Sequence, residues 1–81
     1  MENDRNLCII AREILADWRP VNYGAKPYLD AMLTMGPIAE QYGADTGKSV
    51  VAYFLSNATT WRGETARRVK AELNKQLKGC K

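Results

Sequence analysis

The sequence contains no histidine. That absence removes the commonest general base and the commonest zinc ligand together, so Ser-His and Cys-His catalysis and histidine-built metal sites are excluded. Cysteine is scarce as well. Cys8 and Cys80 stand near opposite ends of the chain, without metal-ligand spacing and without the density that staples small secreted domains. A reducing, cytoplasmic setting is therefore expected. The longest apolar run, residues 50–55, falls far short of the ~18–20 residues that span a bilayer, so no membrane insertion is expected. Asn57-Ala58-Thr59 matches the glycosylation triplet, but no signal peptide is recognised ahead of it and the match is expected to be fortuitous. Glycine (6) and proline (3) are few, and the chain is 46% hydrophobic and 26% charged, which excludes a disordered or low-complexity segment.

What is present is a short chain of 81 residues, expected to form one helical domain over residues 1–81. Such a length buries roughly 60–65% of the surface its unfolded form exposes. That modest core leaves little stability for strained catalytic geometry and suits a non-enzymatic binding protein better. The formal net charge of +3 is unevenly placed. Residues 64–81 carry six basic side chains (Arg67, Arg68, Lys70, Lys75, Lys78, Lys81) against Glu64 and Glu72, and the rest of the chain is near neutral.

Helical periodicity dominates. Asn3 and Asp4 are good N-caps for a first helix whose Leu7, Ile10 and Ile14 recur beside Cys8, Ala11, Leu15 and Trp18. It should stop near Asp17 or Trp18, because Arg19 precedes Pro20. After a loop with Asn22 and Gly24, Pro27 suits the first turn of a second helix that carries Leu29, Met32 and Leu33 and ends by Gly36. Pro37 and Gly43 bracket one short helix through Ile38 and Tyr42. Asp45 or Thr46 caps the next, where Val50, Val51, Phe54, Leu55 and Ala58 cover so much of the circumference that a central position is expected. A turn over residues 57–63 leads to a last helix with Ala66, Val69, Leu73 and Leu77 on one face. The expected fold is all-α, a compact bundle of four main helices plus one short helix.

Few residues suggest chemistry. The string from Gly43 to Ser49 reads like a phosphate-binding loop, but it is one residue short and lacks a preceding strand, so a helix start with a solvated Lys48 is expected. Asp30, between Tyr28 and Met32, is expected to be solvated or paired with a cation, and Cys8 to be a small buried hydrophobe. No catalytic residue, cofactor site or metal site is expected.

Two Trp-Arg pairs mark helix boundaries, Trp18-Arg19 and Trp61-Arg62, and Tyr23 and Tyr28 flank the first. Trp and Arg are the side chains enriched at binding hot spots, so these six residues are candidates for contact with a protein partner. The competing reading has each indole closing the bundle, its N–H bonded within the fold. On the last helix, Arg67, Arg68, Lys75 and Lys78 gather opposite the apolar face, with Lys70 at its edge as a snorkelling cation. They are candidates for nucleic-acid contact, opposed by Glu64 and Glu72 as i, i+4 partners of Arg68.

Four runs carry a resemblance: Ala16-Asp17-Trp18, the segment from Tyr23 to Met32, the segment from Tyr53 to Gly63, and Ala66-Arg67-Arg68-Val69-Lys70-Ala71-Glu72-Leu73. Over residues 11–77 the chain resembles a group of short uncharacterised helical proteins of Gram-positive bacteria and their mobile elements. The resemblance implies a stand-alone cytoplasmic protein of phage or plasmid type. It brings no activity, ligand or catalytic residue. The sequence thus points first to a protein-binding module, and second to a nucleic-acid-binding accessory protein.

Overall fold

The structure, a computed structural model, describes residues 5–39, 41–42 and 45–79. Helix α1 spans Leu7–Asp17, and Leu7, Ile10, Ala11 and Ile14 turn one fully buried face inward. Its N-cap is Asn6, whose side chain makes no capping bond. The first amides are satisfied by residues 35 and 36 instead: Leu7 N–H donates to the Gly36 carbonyl (2.8 Å) and Cys8 N–H to that of Met35 (3.0 Å). The expected caps Asn3 and Asp4 lie outside the described residues. At the other end Trp18 leaves the helical region as expected, and Arg19 Nε donates back to the Leu15 carbonyl at 3.3 Å.

Helix α2 spans Lys26–Met32 with Pro27 in its first turn. Asn22 prepares that start, because its Oδ1 accepts from Gly24 N–H (2.7 Å) and its carbonyl from the amides of Ala25 and Lys26. The helix ends at Met32, short of Gly36, as residues 33–34 form a turn.

The short helix expected between Pro37 and Gly43 does not form. A turn at residues 38–39 is followed by a two-stranded antiparallel ribbon, β1 (Gln41–Tyr42) against β2 (Asp45–Thr46), with Gln41 opposite Thr46 and Tyr42 opposite Asp45. Tertiary contacts occupy this stretch: the Gly36 carbonyl accepts from Leu7 N–H, residues 41–42 pair with 45–46, and Gly47 lies so close to Ile38 that a Cβ there would stand 2.7 Å from the Ile38 carbonyl oxygen.

Thr46 then caps α3 (Gly47–Ser56), its hydroxyl accepting from Ser49 N–H at 3.0 Å. Lys48 is exposed, so the glycine-rich string around it is a helix start. Val50, Val51 and Phe54 face the core, while Ala52 and Tyr53 are exposed. α3 is therefore not the enclosed central helix its composition suggests. It packs on α2 and on α4 (Glu64–Gly79), and α1 likewise packs on α2 and α4, so the four helices close a ring around the shared core.

Gly63, with φ of +116°, makes the turn into α4 in a region that L side chains avoid. Ala66, Val69, Leu73 and Gln76 form the buried face of α4, and Leu77 is half-buried. Gln76 Nε2 donates to the Arg5 carbonyl (3.3 Å), which is why a polar residue occupies the innermost row at that turn. No helix among the described residues is long and apolar enough to cross a membrane.

Candidate functional site

Trp61 is buried, with 2% of its surface exposed. Its Nε1–H donates to Asp17 Oδ2 at the end of α1 (2.9 Å), and its ring stacks on Trp18 with centroids 5.6 Å apart and planes 12° from parallel. Trp18 is half-buried and meets Phe54 edge-on at 6.3 Å. Of the six partner-contact candidates, Trp61 is thus a lid over the core and Trp18 its support. Trp61 offers no free face as an anchor, and Trp18 keeps only part of its ring at the surface. Arg19, Tyr23 and Arg62 are exposed, and Tyr28 is half-buried against Tyr53 on α3. Cys8 is half-buried and free, and Asp30 pairs with Lys26 at 3.3 Å. Cys80 lies outside the described residues.

The cations of α4 separate into two sets. At about 3.6 residues per turn, Arg67 and Lys78 (i, i+11) share one side of the helix, and Arg68 and Lys75 (i, i+7) an adjoining row. Arg68 is not available to a ligand in the way its exposure suggests, because it pairs with Glu13 of α1. Glu72 does not turn to Arg68. Arg5 takes it in a two-point grip, Nε to Oε2 at 2.8 Å and Nη2 to Oε1 at 2.6 Å, and also reaches Glu13 at 2.9 Å. These four side chains tie the approach to α1, α1 itself and α4 together. Held by two guanidinium groups, first Arg5 and then Arg68, the Glu13 carboxyl titrates below its ordinary range.

Arg67, but not Lys78 three turns further along, opens onto a cleft of about 330 Å³, lined by Trp61, Arg62, Gly63, Ala66, Arg67 and Lys70. The cleft is open to solvent and has room for a phosphate group. The turn at Gly63 brings Arg62 round to the first turns of α4, where Arg67 and Lys70 (i, i+3) are neighbours on the helix surface. None of the three makes an ion pair among the described residues. Lys70 is the innermost. Its Nζ donates to the Trp61 carbonyl at 2.6 Å and lies 5.9 Å from the centroid of the Trp61 ring. Burial, and next the positive charge of Arg62, push the Lys70 pKa down.

This cleft joins residues that the sequence assigns to different roles: Arg62 from the partner-contact set, Arg67 from the nucleic-acid set, and Lys70, which there only covers apolar surface. The signal for Lys70 was its i, i+3 spacing from Arg67. The chemistry offered is anion recognition by three cationic side chains lining a cleft at the start of α4, where the carboxylate of Glu64 in the first turn offsets part of the positive end of the helix.

The chain matches no family model, no curated protein and no solved structure. Its site is therefore read from its own geometry.

Proposed function

We propose that the protein is a small non-enzymatic accessory protein that binds nucleic acid through backbone phosphates, with Arg62, Arg67 and Lys70 as the contact groups. The observation that carries this reading is Lys70, an ammonium group drawn into a cleft between two further cations and given a carbonyl as its partner instead of a carboxylate. Desolvation and like charge both disfavour its charged form, and the opposite charge of an anion in the cleft offsets both. A phosphodiester is the anion that suits converging guanidinium and ammonium donors, which bind it in any base sequence. A role in the cytoplasm, in a protein of the mobile-element type it resembles, is consistent with such sequence-independent binding. The reading as a protein-binding module keeps Arg19, Tyr23 and Tyr28 as surface groups but loses Trp61, and most of its partner Trp18, to the interior of the fold.

The test is fluorescence anisotropy with a labelled oligonucleotide at low salt. Arg62→Gln with Arg67→Gln should weaken binding strongly. Lys48→Gln with Lys75→Gln changes the net charge equally but lies outside the cleft, and should weaken it much less. Equal losses in the two double variants would reduce the effect to overall charge and remove the cleft from the account.

A further inference from the structure

Tyr23 is the most exposed of the large hydrophobic side chains among the described residues, 92% open on a loop that is nonetheless braced. Asn22 holds that loop from within by accepting from Gly24 N–H, and its Nδ2 reaches Thr60 Oγ1 at 3.5 Å. Gly24 rests against Asn57, where a Cβ would stand 3.0 Å from Asn57 Oδ1. A phenol ring on a held loop, without a packing partner, is an arrangement suited to stacking on something brought to it. A second aromatic surface lies close by. Tyr28 and Tyr53 stack with centroids 5.5 Å apart and planes 24° from parallel, and Tyr53 stays 56% exposed.

A series of contacts leads from these surfaces toward the basic cleft. Asn57, the cap of α3, lies one turn beyond Tyr53, and its Nδ2 donates to the Tyr53 carbonyl at 2.9 Å. From Asn57 the path crosses Gly24 and Tyr23, and Asn22 bonds to Thr60, which directly precedes Trp61 and Arg62 at the cleft. Along it the side chains are aromatic, neutral polar or basic. Of the acids nearby, Asp30 pairs with Lys26 and Asp17 accepts from the Trp61 indole, and Glu64, exposed in the first turn of α4, is the one carboxylate beside the cleft that no ion pair among the described residues engages.

We infer that the nucleic acid is single-stranded: its phosphates lie against Arg62, Arg67 and Lys70, and its bases stack on Tyr23 and on the open side of the Tyr28–Tyr53 pair. This rests on the phosphate reading above and adds to it the class of ligand. A duplex hides its base faces in the stack and leaves exposed tyrosines nothing to do. A strand presents both a charged backbone and free π-faces, and proteins that bind strands without sequence preference combine a cationic groove with aromatic platforms.

The experiment measures affinity for a short labelled oligothymidylate, an oligouridylate and a duplex of the same length, with the wild type, Tyr23→Ala, and Arg62→Gln with Arg67→Gln. The wild type should bind a strand, DNA or RNA, more tightly than the duplex. Stacking of one base contributes ~1–3 kcal/mol, so Tyr23→Ala should weaken strand binding by about 5- to 150-fold and leave duplex binding unchanged. Because Tyr23 is exposed, its variant should keep the wild-type circular dichroism melt. If Tyr23→Ala binds strands as the wild type does while the arginine variant is impaired, the stacking inference falls and the phosphate reading stands. A duplex preferred over both strands has the same consequence. If the arginine variant is unimpaired, the phosphate reading falls. No binding of any of the three at micromolar protein and low salt overturns both, and leaves the tyrosine surface to a protein partner.

Discussion

Replacing Trp61 by alanine should remove a large share of the protein's stability. The indole is 2% exposed, stacked on Trp18 and bonded to Asp17 across the mouth of the bundle. Truncating a buried tryptophan costs ~3–5 kcal/mol, the lost aromatic stack a further ~0.5–1.5 kcal/mol, and the lost hydrogen bond ~1 kcal/mol because Asp17 stays in water. Against this, 81 residues at ~0.05–0.15 kcal/mol each give a total stability of roughly 4–12 kcal/mol. The alanine variant therefore loses at least about a third of its stability, and all of it at the lower end of that range. Trp61→Phe keeps a ring in place and removes the N–H, so it should cost only ~1–3 kcal/mol, a fall in Tm of roughly 5–20 °C for a domain of this size. Thermal melts by circular dichroism at 222 nm read both. A Trp61→Ala protein that melts as the wild type does would mean the indole is a surface group, and would restore the anchor reading that the structure sets aside.

Other perturbations probe other parts of the account. Leu73 is fully buried at the middle of the inner face of α4, so Leu73→Ala should cost ~2–5 kcal/mol in chemical denaturation, and an unchanged midpoint would misplace that face. Gly47→Ala puts a Cβ 2.7 Å from a backbone carbonyl that has no rotamer to yield, and should lower Tm, whereas an unchanged Tm would mean the 38–39 turn is free to move away. Glu13 has its folded pKa lowered, so the folded state binds fewer protons than the unfolded state near the ordinary carboxylate value of about 4.3. Its stabilisation is complete above that value and is lost as pH falls through the folded pKa. Glu13→Gln should thus lower Tm at pH 7 and flatten its decline toward pH 3, and a parallel decline in both proteins would contradict the ion-pair network.

The helices were legible because their signals are local. Leu7, Ile10, Ala11 and Ile14 specify one face of α1, Pro20 ends it, Pro27 starts α2, and Thr46 caps α3 whatever the rest of the chain does. Residues 37–42 misled for the opposite reason: proline and glycine gave a local case for a helix, whereas the structure pairs residues 41–42 with 45–46 and sets Ile38 against Gly47. The site was only half legible. Spacing on α4 revealed a basic surface, but its division depends on Glu13 taking Arg68 and Arg5 taking Glu72, pairings across most of the chain that no sequence period encodes. The direction of Trp61 depended likewise on Asp17 and Trp18, at the far end of another helix.

The central claim is that the Arg62–Arg67–Lys70 cleft grips phosphates, and the salt dependence of strand binding tests it most directly. Three contacts at about −0.7 each on a single strand give a slope of log K against log salt near −2, so affinity should fall roughly 18-fold between 50 and 200 mM salt. In the Arg62→Gln, Arg67→Gln variant only Lys70 remains, and the slope should shrink to about −0.7. A flat wild-type dependence, or an equal slope in the variant, would contradict the account.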